Sequence, residues 1–447
     1  MDMEAIIIGG VAAGMSAASK LKRTLPLARI RVYERGNFLS YGACGIPYYV
    51  GGINADPDLL IARSREDFEK QGIQTFLRHE AVSVDPVRRQ VRVRDLDSGR
   101  EFDDSYDRLM IAVGCDSAVL PIPGADLPGV FYLKSMEDGL LLEKILSLPG
   151  VRSAVIVGGG YIGVEMAEAL LARQLSVTLV EASERLLTPF EPAFSAMAAQ
   201  ELERQGVRLR LNERVSAIEI QGNERAVITA QGSYSADLVI MCAGVVPATG
   251  FLKGSGLRLA RNGAVMVDRQ MRASYEGVYA AGDCAVVYNR ITGEDFFLPL
   301  GTVANKCGRI AGGNMAGESE VFAGALGTAA IKACSLEMAR TGMSTGDARR
   351  LGKDFAVSTV KAWNHPAYYP GRQELTIALL YERGTRRLLG ANAAGPYGSG
   401  AVLRTDMLAI AIHAGMSTDE LGMVDLAYAP PFSGVWDAVH IAANAAK

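Results

Sequence analysis

Residues 154–163 read AVIVGGGYIG, and residues 5–14 read AIIIGGVAAG. In each, a run of β-branched residues stops at a glycine turn. A helical stretch follows: MSAASKLKRTL (15–25) after one turn, VEMAEALLARQ (164–174) after the other. Each helix leads to a second strand that ends on an acid, Glu34 after residues 30–33 and Glu181 after SVTLV (176–180). Strand, glycine turn, helix, strand and acid make up the plan of a dinucleotide-binding fold. Its repetition predicts two such folds, each with a parallel sheet.

The second turn carries a complete G-x-G-x-x-G at Gly158, Gly160 and Gly163. The first glycine permits the tight turn, the second lets backbone approach a pyrophosphate, and the third lets helix and strand pack closely. Tyr161, Ile162 and Glu165 open the helix. Glu181 lies 181 − 163 = 18 residues past the third glycine, where an acid accepts ribose hydroxyls. A carboxylate there repels a 2′-phosphate, which favours NADH; Arg185 nearby leaves NADPH open. The first turn has Gly9, Gly10, Ala13 and Gly14, with Val11 where the second glycine is usual. Its acid, Glu34, follows Gly14 by 34 − 14 = 20 residues. Alone, this turn suits a plain strand–helix connection as well as a nucleotide site.

The remaining composition bounds the answer. The chain has 447 residues, enough for about three domains. Hydrophobic residues are 49% and charged residues 21%, which argues against disorder, and no run of 18 apolar residues suggests a membrane span. The net charge of −3 offers nucleic acid no global attraction. Six cysteines at 44, 115, 242, 284, 307 and 334 form no C-x-x-C, and there are four histidines, so neither a disulfide scaffold nor a metal site is expected. The uncharged run 5–19 follows Asp2 and Glu4 and is broken by glycines. It therefore does not read as a secretory signal, and a cytoplasmic location is expected.

Between the two nucleotide folds lie alternating strands (VRRQVRVRDL, 87–96), then LMIAVG (109–114) and a proline-rich link. A second link, AGVVPATG, spans 243–250, and GVYAAGDC (277–284) is a further buried strand leading to an acid. Beyond about residue 325 the pattern changes to strands FAVSTVKAW (355–363) and ELTIALLYE (374–382), a helix RTDMLAIAIHAG (404–415) and a proline turn YAPPF (428–432). This predicts an α+β domain without a nucleotide signature. Cys44, in SYGACGIPYYVGG (40–52), precedes an apolar segment expected to begin a helix. A thiol at a helix N-terminus has a lowered pKa and is a better nucleophile; a buried structural cysteine is the alternative. The other five cysteines read as core.

On these residues the chain resembles the pyridine nucleotide–disulfide oxidoreductases over nearly its whole length. GGVAAG, SYGACGIPYY, HPAYYPG (365–371) and YAPPFS (428–433) are most similar to its single-cysteine branch, the coenzyme A-disulfide reductases. In that branch valine at position 11 is usual. The resemblance implies two Rossmann-like domains, for FAD and for NAD(P)H, and a C-terminal α+β dimerisation domain. The expected boundaries are 1–118 and 247–325 for FAD, 119–246 for NAD(P)H and 326–447 for dimerisation. It adds Arg35, Val82, Gly114, Gly244, Gly282, Asp283 and Ala304 to the cofactor-binding residues. Tyr161 is implied as a gate over the flavin, and Glu165 as the group that orients the nicotinamide. Cys44 is the implied redox centre. No second cysteine stands five residues on, where Tyr49 sits, so its oxidised form must be a sulfenic acid or a mixed disulfide.

The same resemblance implies a homodimer in which Tyr368 and Tyr428 reach the partner's site and donate protons to a leaving thiolate. Tyr369 could replace Tyr368, and both could be interface packing. Ser16, Lys20 and Arg23, on one helical face, and Ser40 are the implied contacts for coenzyme A; a solvated basic helix end reads equally well. Ala43 departs from an asparagine frequent in the branch, which puts tight coenzyme A binding in question. The expected activity is NAD(P)H-dependent reduction of coenzyme A disulfide or a related small disulfide. Rivals are a persulfide or polysulfide reductase (without an appended rhodanese domain), an NADH oxidase, disfavoured by Ala12 where oxidases carry histidine, and a redox-sensing flavoprotein.

Overall fold

The structure, a computed structural model, describes residues 3–447. Asp2, one of the two acids before the apolar run, lies outside them. The run opens in strand Glu4–Ile8, with Ala5, Ile6 and Ile7 wholly buried, and continues from Ala12 as helix. Such continuous burial is what a parallel strand covered on both faces requires.

That strand is the middle of a five-stranded parallel sheet. Its order is Val278–Ala280, Arg108–Ile111, Glu4–Ile8, Arg29–Glu34 and Ile73–Leu77. The second nucleotide fold repeats the arrangement: Val130–Tyr132, Leu238–Met241, Ser153–Val157, Ser176–Val180 and Arg208–Arg210, again all parallel. Each unit also carries a three-stranded antiparallel meander, His79–Asp85 with Gln90–Asp95 and Glu101–Ser105 in the first. Its counterpart is Val215–Gln221 with Glu224–Thr229 and Ser233–Ala236. The first sheet acquires its outer strand, Val278–Ala280, only after the chain has traversed the whole second sheet. Helices Ala12–Thr24 and Gly301–Met315 then lie so close that a Cβ on Gly308 would overlap the carbonyl of Ala13, and one on Gly312 that of Ala17.

The third sheet is antiparallel, in the order Ala329–Ala333, Leu336–Gly342, Leu388–Pro396, Glu374–Glu382 and Phe355–Trp363. Helices Ala401–Ala414 and Ala438–Asn444 pack on it, and so do helices Tyr161–Ala172 and Pro192–Arg204 of the second nucleotide fold. Among the described residues no helix is long and apolar enough to cross a membrane.

Candidate active site

The two glycine turns are copies at the level of single atoms. Gly9 (φ +100°) and Gly158 (φ +112°) take a conformation that L side chains rarely adopt. A Cβ there would overlap the carbonyl oxygens of Ala112 and Cys242, respectively. Gly9 N–H donates to Tyr33 O and Gly158 N–H to Val180 O, both at 2.8 Å. Gly14 and Gly163 leave no room for a Cβ against the carbonyls of Gly9 and Gly158. Glu34 accepts from Gly10 N–H and Gly36 N–H (2.7 Å each), and Glu181 from Gly159 N–H and Ser183 N–H (2.6 Å each). Even the strained follow-on residue repeats: Ser40 (φ +49°) donates to Gly10 O, and Leu187 (φ +46°) to Gly159 O.

This copying explains Val11. It occupies the place of Gly160, and both have negative φ, −105° and −77°, so a side chain there costs no backbone strain. No protein atom lies within 4 Å of a Cβ added to Gly160. The space in front of that turn is where phosphates would sit. Gly160→Ala should therefore fold with unchanged thermal stability and weaken NADH binding. A variant that loses stability but binds NADH normally would refute that reading.

The other residues expected at the cofactors converge in part. Gly282 (φ +84°) lies between Ala13 and Ala304: a methyl group in place of its hydrogen would stand 3.0 Å from the first Cβ and 3.6 Å from the second. Gly114 (φ +68°) and Gly244 (φ +106°) face open space at matching places in the two folds. Arg35 is paired with Asp116, and Val82 sits at a bulge between Ala81 and Ser83. Asp283 holds two groups that no sequence pattern links to it: Lys134 Nζ at 3.2 Å and Cys115 Sγ at 3.3 Å. Lys134 belongs to no motif, and only the tertiary contact reveals it.

Cys44 is exposed, in a single 3₁₀ turn (Ala43–Gly45) before the short helix Ile46–Val50. The expected lowering of its pKa is corrected by the structure: the thiol is pushed up. Crowding by surrounding protein desolvates it although the residue is solvent-accessible, and Glu165 raises it further; Lys134 acts in the opposite sense. A helix of five residues supplies too little dipole to reverse this. The expectation that the other five cysteines are core needs a second correction. Cys115, Cys284 and Cys307 are buried, while Cys242 and Cys334 are only partly so.

Glu165 is pushed up to about 7 by burial and by Glu168. Below pH 4.5 folded and unfolded chains both hold this proton. As pH rises to about 7 the unfolded chain releases it first, so stability falls, and the loss levels off above 7. Glu165→Gln should remove this decline, gaining at most about 3 kcal/mol at pH 8 and nothing at pH 4 in the nucleotide-free protein. Equal urea midpoint shifts at both pH values would contradict it. Tyr161, in the same helix, packs its ring against Phe190 at 6.1 Å.

The expected cationic face is altered. Ser16 Oγ donates to Asn305 Oδ1 (2.7 Å), and Lys20 is paired with Glu318 (2.7 Å) and Glu320 (3.3 Å). Lys20 is thus a neutralised cation, because the segment that follows helix Gly301–Met315 brings two carboxylates that its own helix does not show. Arg23 stays exposed. Arg63, which stands in no motif, donates to Ser19 Oγ at 3.2 Å and lies 4.2 Å above the Phe68 ring. In the third domain Tyr368 and Tyr428 meet, hydroxyl to hydroxyl, at 2.8 Å; Tyr369 instead turns to the His365 ring.

The sequence profile of the pyridine nucleotide-disulphide oxidoreductases matches residues 3–297, and that of their dimerisation domain matches residues 328–439. The chain belongs to this family. The NAD(P)H coenzyme A polysulfide/persulfide reductase of Pyrococcus horikoshii is 38% identical, over 100% of this chain and 99% of the relative. The coenzyme A disulfide reductase of Staphylococcus aureus is 27% identical, over 99% of each. The solved NAD-dependent persulfide reductase from A. fulgidus is 34% identical, with a TM-score of 0.95 over 99% of this chain and 82% of that one. This oxidoreductase is accordingly an FAD-dependent NAD(P)H enzyme of the mixed α/β type, with a dimerisation domain at its C-terminus.

Proposed function

We propose that this oxidoreductase reduces coenzyme A disulfide, or a related small disulfide, with NADH, at Cys44, in a homodimer whose subunits share each site. One observation carries the reading. Among the described residues Cys44 is the single exposed cysteine, and all six cysteines are free. Tyr49, five residues on, is buried apolar packing rather than a second sulfur. Cys44 therefore works with a substrate sulfur.

Glu34 and Glu181 hold their glycine turns by one set of lone pairs and offer the rest to ribose hydroxyls. The open space before Gly160 and the free amides of the turn suit a pyrophosphate. FAD, when bound, carries the electron pair from NADH to sulfur. Cys44 thiolate attacks one sulfur of the disulfide, the S–S bond breaks, and a thiolate leaves. A tyrosine hydroxyl gives that thiolate its proton. The electron pair then cleaves the mixed disulfide, so one NADH and one proton yield two thiols. Lys134 lowers the Cys44 pKa and so opposes in part the burial that raises it. Arg23 and Arg63 are the cations left to meet the phosphates of coenzyme A.

The identity to persulfide reductases favours a second reading on the same site. Cys44 thiolate would attack coenzyme A persulfide, form the same mixed disulfide and release hydrosulfide. Ala43 leaves more room beside Cys44 than asparagine would. Anaerobic NADH consumption with coenzyme A disulfide, coenzyme A persulfide, polysulfide, glutathione disulfide and oxygen tests both. Turnover fastest with coenzyme A disulfide supports the first; fastest with persulfide or polysulfide, the second. Acceleration by oxygen alone would make it an oxidase, and by none a redox-sensing flavoprotein.

A further inference from the structure

The tyrosine pair stands on exposed loops, yet the groups beneath it are buried. Arg404 and Asp437 are 7% and 6% exposed. Arg404 Nη2 donates to Asp437 Oδ2 at 2.7 Å, and its Nε reaches both carboxylate oxygens at 3.0 and 3.1 Å. The same Nη2 donates to the carbonyl of Asn364 at 3.1 Å. Asn364 exchanges two hydrogen bonds with Gln373: its N–H donates to Gln373 O at 2.9 Å, and its Oδ1 accepts from Gln373 N–H at 2.8 Å. These bonds close the loop that carries Tyr368.

On its other side Asp437 leads to the loop of Tyr428. Asp437 N–H donates to His440 Nδ1 at 3.2 Å. The proton of the neutral ring is then on Nε2, which donates to Val424 O at 2.8 Å. Val424 begins the stretch that carries Tyr428, and Ser433 Oγ ties that stretch to Ala427 O at 3.2 Å. The two arms meet again at the hydroxyls of Tyr368 and Tyr428, 2.8 Å apart. The result is a closed circuit of hydrogen bonds and short chain segments with one buried ion pair at its base. Burying such a pair is costly, and apolar packing would stabilise as well. What apolar packing lacks is direction: a guanidinium fork fixes the angle and distance of everything it holds.

We propose that Arg404 and Asp437 are positioning residues for proton delivery: they lock the Tyr368 and Tyr428 loops in one register, so that Tyr368 donates to Tyr428 and Tyr428 gives its own proton to the leaving thiolate. This rests on the reading of the tyrosines given above. The step balances as thiolate plus Tyr428 hydroxyl giving thiol plus Tyr428 phenolate, which the Tyr368 hydrogen bond stabilises until water returns the proton.

The test compares Arg404→Lys, Asp437→Asn, Tyr428→Phe and the Arg404→Lys/Tyr428→Phe double variant, each as FAD-loaded dimer. Two half-reactions are read separately, bleaching of the flavin by NADH and release of thiol from coenzyme A disulfide. Displacing a reacting group by about 1 Å costs up to ~10²-fold. Arg404→Lys and Asp437→Asn should therefore slow thiol release about tenfold or more and leave flavin bleaching within about twofold. Adding Arg404→Lys to Tyr428→Phe should cost nothing further, because the group it positions is already gone. Multiplicative losses, or a folded Arg404→Lys that releases thiol at the wild-type rate, overturn the proposal. If the charge variants do not fold, Asn364→Ala loosens the same loop without exposing the pair, and its cycle with Tyr428→Phe is read by the same criteria. Thiol release by Tyr428→Phe at the wild-type rate would instead remove the tyrosine reading beneath it.

Discussion

Cys44→Ser should keep its FAD and lose disulfide reduction by a factor on the order of 10³ or more. Serine differs from cysteine by one atom, so the 3₁₀ turn Ala43–Gly45 and the helix after it keep their packing. The hydroxyl ionises far less readily than a thiol and forms no stable bond to a substrate sulfur. The other five cysteines do not substitute for it. Burial pushes Cys115, Cys242, Cys284 and Cys307 up to about 12, and burial with nearby carboxylates pushes Cys334 up to about 11. The measurements are the flavin-to-protein absorbance ratio and anaerobic NADH consumption with coenzyme A disulfide. A variant that binds FAD and reduces the disulfide at the wild-type rate would sink the assignment of Cys44.

Two separately inactive variants should restore one another. Tyr428→Phe removes a general acid and should slow thiol release by ~10²–10⁴. If each site takes Cys44 from one subunit and Tyr428 from the other, a heterodimer of Cys44→Ser and Tyr428→Phe chains has one whole site. Half of the wild-type activity per dimer is the expected ceiling. The surface around Tyr428 suits such an interface. Phe432, Val435 and Trp436 lie in the same segment and are 77%, 69% and 54% exposed, which leaves large apolar side chains in need of cover. Verified heterodimers with no recovered activity would place Tyr428 in the service of its own chain, or of packing alone.

Much of this molecule was legible because two kinds of signal are local. A glycine turn needs φ > 0 and the absence of a Cβ at fixed spacing, so Gly9, Gly14, Gly158 and Gly163 announce themselves, and so do the acids that brace them. Buried parallel strands need unbroken β-branched runs, which residues 5–8 and 154–157 supply. From these the two nucleotide folds follow, and strands 355–363 and 374–382 were readable from their own pattern. Val11 looked like a defect because the sequence records only that glycine is missing. The φ of −105° says that the backbone conformation there does not require one.

Charge and protonation were not local, and there the sequence alone misled. Lys20 reads as a free cation until residues 318 and 320 are folded against it, about 300 positions away in the chain. Cys44 reads as an activated thiol until the protein around it and Glu165 are in place; only then does Lys134, just past a strand end and in no motif, emerge as a charge that acts against them in part. The circuit under Tyr368 and Tyr428 joins residues 364, 404, 424, 437 and 440, of which spacing connects only 437 and 440, a helix cap and its third residue. The sequence by itself determined which backbone turns exist and what chemistry each can present. Electrostatic energy depends on distance through space and on desolvation, neither of which is written in the order of residues. Only the tertiary structure, therefore, decided which of those groups are charged, paired or free to react.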